Sequence, residues 1–169
     1  MLPEELTDPD PARAVADCAA TPCGNGLVPE SDETNNGRTA TTQITLVAAD
    51  LVTTSVSGPS AAVAGDSIAV STTVQNTVAG TQAQGLRVGV YLSTDPGLPG
   101  TGVLLGSRTI NTLNGGATSE AVTMVTIPDG TAPGTYCLTA VADDQSHVTE
   151  ADETNNGAAA ATPITITAP

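Results

Sequence analysis

A ten-residue sequence occurs twice in this 169-residue chain, at a spacing of 120 residues. Val28-Pro-Glu-Ser-Asp-Glu-Thr-Asn-Asn-Gly37 returns as Val148-Thr-Glu-Ala-Asp-Glu-Thr-Asn-Asn-Gly157, with eight of the ten residues identical. Upstream, Ala14-Val-Ala-Asp17 matches Ala140-Val-Ala-Asp143. A period of this length is that of a whole domain rather than of a solenoid repeat. We therefore interpret the chain as part of a tandem array, with a complete unit at 49–169 and the C-terminal part of a preceding unit at 1–48.

Residues 50–169 break into short runs in which apolar and polar side chains alternate, separated by clusters of Gly, Pro and Asn. In one of these runs Leu86, Val88, Val90 and Leu92 are the apolar positions. Alternation with a period of two is the pattern of a half-buried strand. The predicted strands span residues 50–57, 66–75, 85–93, 103–113, 118–127, 134–143 and 158–167. Seven strands at this spacing, with no helical period, predict an all-β fold, a β-sandwich.

Two local features refine this prediction. Asn114-Gly-Gly116 separates two predicted strands and is typical of a tight hairpin turn. Tyr136 begins the sixth predicted strand, two residues before the apolar Leu138, as in the tyrosine corner of immunoglobulin-like sandwiches. Its hydroxyl would then bond to the backbone upstream. The alternative is an ordinary strand aromatic.

The surface charge limits the classes of partner. The net charge is −14, there is no lysine, and the basic side chains are Arg13, Arg38, Arg87 and Arg108. Binding a phosphate backbone requires clustered cations, so nucleic acid and anionic membrane surfaces are poor partners. Divalent cations are good ones, although acidity also keeps surface proteins soluble and is typical of halophilic hosts. No apolar run approaches the roughly 20 residues of a membrane span, so we expect no membrane insertion.

Several motifs of residues 50–168 resemble the CARDB domain, the cell adhesion related domain found in bacteria. They follow one another in the family's order: Val88-Gly-Val-Tyr-Leu-Ser-Thr-Asp95, Leu104-Leu-Gly-Ser-Arg108, Pro133-Gly-Thr-Tyr136, Ala140-Val-Ala-Asp143 and Glu150-Ala-Asp-Glu-Thr-Asn-Asn156. The last is the most distinctive. The resemblance implies an immunoglobulin-like Greek-key β-sandwich in secreted or cell-surface proteins, usually in tandem, and a family that is not known for catalysis.

Residues 1–48 match only the closing part of such a domain. Val15 to Asp17 would end its sixth strand, and Arg38 to Val47 would form its seventh. Two strands cannot cover their own apolar face, so this segment is expected to need strands from elsewhere. It is a truncated unit, a fragment, or a segment that completes a neighbouring copy by β-strand addition. In the last case Thr39–Val47 would be the inserted strand.

The two acidic turns are the strongest candidate sites. Calcium binds six to eight oxygens from carboxylates, amides and carbonyls on flexible loops, and crowded carboxylates repel one another unless a cation is bound. The alternative is turn chemistry, in which Asn-Asn-Gly supplies left-handed conformations and the Glu accepts backbone N–H bonds. The candidate calcium ligands are Asp143, Asp144, Glu150, Asp152, Glu153 and Asn155 in the second copy, Asp17, Glu30, Asp32, Glu33 and Asn35 in the first, and Asp95 if its loop shares their end of the sandwich.

Cys18 and Cys23 flank Ala-Ala-Thr-Pro, in a stretch where the first copy is longer than the second. A small disulfide-closed loop is the favoured interpretation, and it indicates an oxidising compartment. Zinc is the alternative, but two further ligands at suitable spacing are missing.

The sequence gives little support for catalysis. His147 is the only histidine, no nucleophile elbow or zinc motif is present, and two tyrosines make a poor platform for sugars. We therefore expect a non-catalytic module that acts as a spacer, stalk or fibre subunit outside the cell, assembled with neighbouring copies or adjacent repeats. The alternative is an adhesive module that recognises a surface ligand through its loops.

Overall fold

The computed structural model describes residues 47–169 and, before them, two short strands, β1 (Arg13–Val15) and β2 (Gly37–Thr39). The chain divides into two compact units, Met1–Leu46 and Val47–Pro169. In the first unit β1 and β2 are antiparallel, with Val15 opposite Gly37 and Arg13 opposite Thr39. Asp17, Glu30, Asp32, Glu33, Asn35, Cys18 and Cys23 lie outside the described residues.

The second unit is built from nine strands, and no helix in residues 47–169 is long and apolar enough to cross a membrane. Its strands are β3 (Leu51–Ser57), β4 (Ala61–Val63), β5 (Ser67–Asn76), β6 (Gln82–Ser93), β7 (Val103–Asn114), β8 (Thr118–Thr126), β9 (Gly134–Ala142), β10 (Gly157–Ala159) and β11 (Ile164–Thr167).

These strands form two sheets. The smaller sheet has the order β3-β5-β8, and the larger has the order β4-β11-β9-β6-β7, with β10 also paired to β9. The chain crosses between the sheets at β3–β4, β4–β5, β5–β6, β7–β8 and β8–β9. The fold is therefore an all-β, immunoglobulin-like sandwich, which confirms the predicted fold class.

The alternating pattern of each sheet places one row of apolar side chains between the layers. Leu51, Val70 and Val74 of the smaller sheet and Leu86 and Leu138 of the larger are fully or almost fully buried. Close-packed aliphatic side chains replace the aromatic residues that many sandwiches use in this position. The alternation thus gives a single core without Phe or Trp.

The observed strands correct the sequence-based boundaries at three places. β4 was not predicted, and the predicted strand 158–167 is divided into β10 and β11. Ala159 lies opposite Thr139 but Ile164 lies opposite Tyr136, so residues 160–163 face only two residues of β9. The predicted hairpin at residues 114–116 is wrong, because β7 pairs with β6 and β8 pairs with β5. That turn carries the chain from one sheet to the other.

The predicted tyrosine corner is confirmed. The Tyr136 hydroxyl donates to the Ala132 carbonyl oxygen at 2.9 Å, four residues upstream. This bond fixes the loop that leads into β9, the strand whose other end carries the candidate site.

Candidate functional site

The second acidic turn connects β9 to β10, and we call residues 143–156 the acidic hairpin. Val141 pairs with Gly157 at its base. Asp143 has a φ of 47° and Ser146 a φ of 52°, which is the left-handed region, and the Ser146 N–H donates to the Asp143 carbonyl at 2.8 Å. Non-glycine residues rarely adopt this conformation, and aspartate tolerates it better than most. The chain therefore turns sharply as soon as β9 ends.

Glu150 joins the acidic hairpin to the beginning of the domain. Its Oε2 accepts from the Leu51 N–H at 2.5 Å, and its Oε1 accepts from Asn156 Nδ2 at 2.8 Å. Ala49 forms a parallel bridge with Glu150, and the Ala151 N–H donates to the Ala49 carbonyl at 2.8 Å. The repeated motif is thus hydrogen-bonded to Ala49 and Leu51, at the beginning of its own domain.

Burial raises the pKa of Glu150 from 4.5 to about 7. Hydrogen bonds from Leu51 and Asn156 lower it in part, and the negative charges of Glu153 and Asp143 raise it further. Glu150 is only 8% exposed. A carboxylate at this position therefore carries a desolvation cost that its hydrogen bonds do not remove.

The base of the acidic hairpin also links the two sheets. The Thr53 hydroxyl on β3 donates to the Asn156 carbonyl at 2.6 Å, and it accepts from the Ala142 N–H at 3.2 Å. The Ala142 N–H also donates to the Asn156 carbonyl at 3.0 Å. One buried hydroxyl thus connects the smaller sheet to the ladder between β9 and β10.

Three buried acceptor oxygens in this region have no hydrogen-bond partner within residues 47–169. The first is Asp143 Oδ1; the other oxygen of that carboxylate accepts from the Val148 N–H at 2.7 Å, and the residue is only 3% exposed. The other two are Asn156 Oδ1 and Asn155 Oδ1. The amide nitrogen of Asn155 donates to Asp50 Oδ1 at 2.9 Å. Unpartnered buried polar atoms are rare in native proteins, so each calls for a ligand or a water.

Asp144 has a different environment from Asp143. Arg87 Nε and Nη2 each donate to its carboxylate at 2.7 Å, and the Tyr91 hydroxyl donates to it at 2.7 Å. The carboxylate lies against Gly89, where a Cβ would clash with it. Burial and the bond to Asp144 raise the pKa of Tyr91 to about 12. Asp144 is thus held by an ion pair on the outer face of the larger sheet.

The exposed acidic side chains make local turn contacts. Asp152 Oδ1 accepts from the Thr154 N–H at 2.8 Å and from its hydroxyl at 2.6 Å, and these bonds lower the pKa of Asp152. Glu153 Oε1 accepts from the Glu150 N–H at 3.0 Å. Asp95 Oδ1 accepts from the Gly97 N–H at 2.8 Å.

The structure brings some of the predicted ligands together and separates others. Asp143 and Glu150 interact electrostatically inside the acidic hairpin, whereas Asp144 is bound to Arg87. Asp95 follows Ser93, which pairs with Cys137 near the start of β9, whereas Asp143 follows the end of that strand. Within residues 47–169 no three His, Cys, Asp or Glu side chains form a group that could hold a metal ion. A calcium site here would need amide or carbonyl oxygens as well.

Sequence reasoning did not single out Asn156, Thr53, Arg87 or Tyr91. Asn156 lies inside the repeated motif, so the repeat itself was a usable signal. Arg87 and Tyr91 lie more than fifty residues before Asp144, and the sequence contains no local sign of their contact.

The two sheets, the tyrosine corner and the hairpin between β9 and β10 define an immunoglobulin-like module. The CARDB family model matches residues 48–160, and the chain belongs to this family. Comparison with curated proteins gives no match.

Two solved structures with the same fold come from archaea. The CARDB domain of a Pyrococcus furiosus protein, crystallised in complex with di-metal ions, is 22% identical, and the match covers 75% of this chain and 100% of that domain with a TM-score of 0.53. A domain of a proposed cell-surface protein from Methanosarcina acetivorans is 21% identical, and the match covers 72% of this chain and 94% of that one with a TM-score of 0.50. At these identities the likeness shows the fold alone.

Proposed function

We propose that the protein is a non-catalytic structural module of a secreted or cell-surface tandem-repeat protein, in which it acts as a spacer, stalk or fibre subunit. The observation that carries this proposal is the register of β1 and β2. Val15 lies opposite Gly37, as Val141 lies opposite Gly157, and these are matching residues of the two copies of the repeat. The first unit therefore has a strand pair that corresponds, residue for residue, to β9 and β10.

The short connection between consecutive repeats also supports a spacer function. At the same 120-residue offset, Ile44 and Leu46 correspond to Ile164 and Ile166, which are buried in β11. The last strand of the preceding repeat would then end near Val47, and the next domain makes its first bridge at Ala49. A connection of about one residue restricts motion between domains far more than a Gly/Ser-rich linker does.

The charge of the module and the descriptions of its relatives support a location outside the cell. A net charge of −14 without lysine favours an aqueous, cation-rich exterior over nucleic acid or anionic lipid. The Methanosarcina acetivorans relative is described as a proposed cell-surface protein, and the Pyrococcus furiosus relative was crystallised with di-metal ions. By analogy we propose a cell-surface location and stabilisation by calcium.

The partner of the module would be another unit of the same kind. In the complete domain β9, the counterpart of β1, is paired with β6 as well as with β10 and β11. A strand equivalent to β6 would have to come from chain upstream or from a neighbouring copy. Addition of such a strand beside β1 would supply further main-chain hydrogen bonds.

Hydrogen exchange on the whole chain, with its mass measured in parallel, tests this arrangement. We expect the amides of β1 and β2 to exchange much faster than those of β9 and β10 in a monomer, and to become protected in any oligomer. If β1 and β2 were as protected as β9 and β10 in a strict monomer, the first unit would be complete by itself, and the proposed array would be wrong.

An adhesive function is the second candidate, and one observation favours it. Leu98, Val103 and Leu104 are 57%, 51% and 44% exposed, in the loop after β6 and at the start of β7. Grouped apolar side chains at a loop often mark a binding surface. Replacing Leu98 and Leu104 with Ser would weaken adhesion to a surface ligand without affecting a spacer.

A further inference from the structure

The acidic hairpin contains two buried carboxylates for which the described residues offer no compensating cation. Asp143 and Glu150 are 3% and 8% exposed. Residues 47–169 contain two arginines and no lysine. Arg87 is bound to Asp144, and Arg108 donates to Thr72 and Ser119. His147, the only histidine, is exposed.

Buried charge without a partner is costly, and two like charges close together increase the cost. The negative charge of Asp143 is among those that raise the pKa of Glu150. The backbone donors at Val148 and Leu51 each satisfy one carboxylate oxygen, at Asp143 Oδ2 and Glu150 Oε2. Two ways remain to neutralise the pair, namely a proton or a bound cation.

The unpartnered oxygens favour a cation. Asp143 Oδ1 is a buried acceptor without a donor, and so is Oδ1 of Asn156, whose amide nitrogen is bound to Glu150. A proton on Glu150 could be donated to Asn156 Oδ1 once that amide has rotated, but it would leave Asp143 Oδ1 unsatisfied. A hard cation would satisfy both oxygens, since carboxylate and amide oxygens are the ligands that calcium takes.

We propose that Asp143, Glu150 and Asn156 form a calcium site under the acidic hairpin, with Asp143 Oδ1 and Asn156 Oδ1 as ligands and Glu150 supplying further negative charge. Calcium is preferred to magnesium because it accepts irregular sets of oxygens and loses its water more readily. The proposal rests on the calcium component of the proposed function and gives it a position. A cation there would reinforce the attachment of Glu150 to Leu51, at the first strand of the domain.

This assignment differs from the sequence-based candidate set. It removes Asp144, which is bound to Arg87, and the exposed Asp152. It adds Asn156, which was not a candidate. With two carboxylates and one amide, it is compatible with the lack of any group of three acidic, His or Cys side chains in residues 47–169 that could hold a metal.

Thermal melting of the whole chain tests the proposal, in chelator and in about 10 mM calcium, a concentration above the dissociation constants of about 0.1–1 mM typical of extracellular modules. We expect calcium to raise the Tm of the wild type, and magnesium to raise it less. Asp143→Asn should abolish the calcium shift while raising the Tm in chelator. The matched control is Asp152→Asn, which also removes one carboxylate from the acidic hairpin and should keep the full shift.

Two further measurements locate the bound calcium independently of the melting of Asp143→Asn. In heteronuclear NMR spectra, calcium should move the amide resonances of residues 143–156 and leave those of β8 in place. Asn156→Asp, which adds a carboxylate, should lower the Tm in chelator and increase the calcium shift.

An equal calcium shift in Asp143→Asn and wild type would overturn the assignment, and so would a wild type that calcium does not stabilise. Neither result affects the spacer proposal, because the length of joined domains is measured in chelator.

Discussion

Replacing Glu150 with Gln should stabilise the domain at alkaline pH when calcium is absent. In the folded protein burial raises the pKa of Glu150 to about 7, whereas its ordinary value is 4.5. Between these two pH values the folded state holds a proton that the unfolded state has released, so stability falls as the pH rises. Below about pH 4.5 the proton is bound in both states and the penalty disappears.

The size of the effect follows from the same values. A pKa of about 7 in place of 4.5 corresponds to roughly 3 kcal/mol for a fully desolvated group. The acidic hairpin lies at the surface, where water screens part of the charge, and we therefore expect about 1–2 kcal/mol at pH 8. Glutamine keeps an acceptor for the Leu51 N–H. Its amide can donate to Asn156 Oδ1 once the Asn156 amide has rotated, so the neutral side chain is accommodated.

Urea unfolding in chelator measures the effect at pH 5 and pH 8. The free energy of unfolding of the wild type should fall between these pH values by about 1–2 kcal/mol more than that of Glu150→Gln. The reasoning is refuted if both proteins show the same pH dependence. It is also refuted if Glu150→Gln is less stable than the wild type at pH 8.

Three further substitutions test separate contacts, each by urea unfolding. Gly89→Ala should cost about 1–3 kcal/mol, because its Cβ would displace the Asp144 carboxylate, and an unchanged stability would mean that this carboxylate moves freely. Tyr136→Phe should cost about 1 kcal/mol through loss of the bond to the Ala132 carbonyl, and a neutral result would contradict the tyrosine corner. Thr53→Val should cost about 1–3 kcal/mol, because the buried Thr53 hydroxyl is hydrogen-bonded to Asn156 and to Ala142 at the base of the acidic hairpin. A smaller loss of stability than that of Tyr136→Phe would contradict this link between the sheets.

The alternation of apolar residues was enough to predict most of the sandwich. Leu86, Val88, Val90 and Leu92 are all buried, as their spacing indicates. The turn after β7 was predicted wrongly because Asn-Gly-Gly indicates a turn but does not indicate which sheet the next strand joins. β4 has only three residues and pairs in parallel with β11, which leaves no periodic signal.

The acidic hairpin was located from its repeated sequence, but the roles of its carboxylates were not. Asp143 and Asp144 are adjacent and chemically identical, yet one is buried without a cation and the other is bound to Arg87. That difference depends on β6, more than fifty residues earlier in the chain. Contacts between strands distant in sequence decide the charge environment, and a single sequence does not encode them in any local pattern.

Solution scattering from one, two and three directly joined copies of residues 48–167, in chelator, tests the proposed spacer function most directly. Each copy contains strands of up to twelve residues, so a domain is about 40 Å long. We predict that the maximum dimension grows by about this amount with each copy, as expected for domains joined by about one residue. A maximum dimension that hardly grows from two copies to three would mean that the domains fold back on each other, and would contradict the proposal that this module is a spacer.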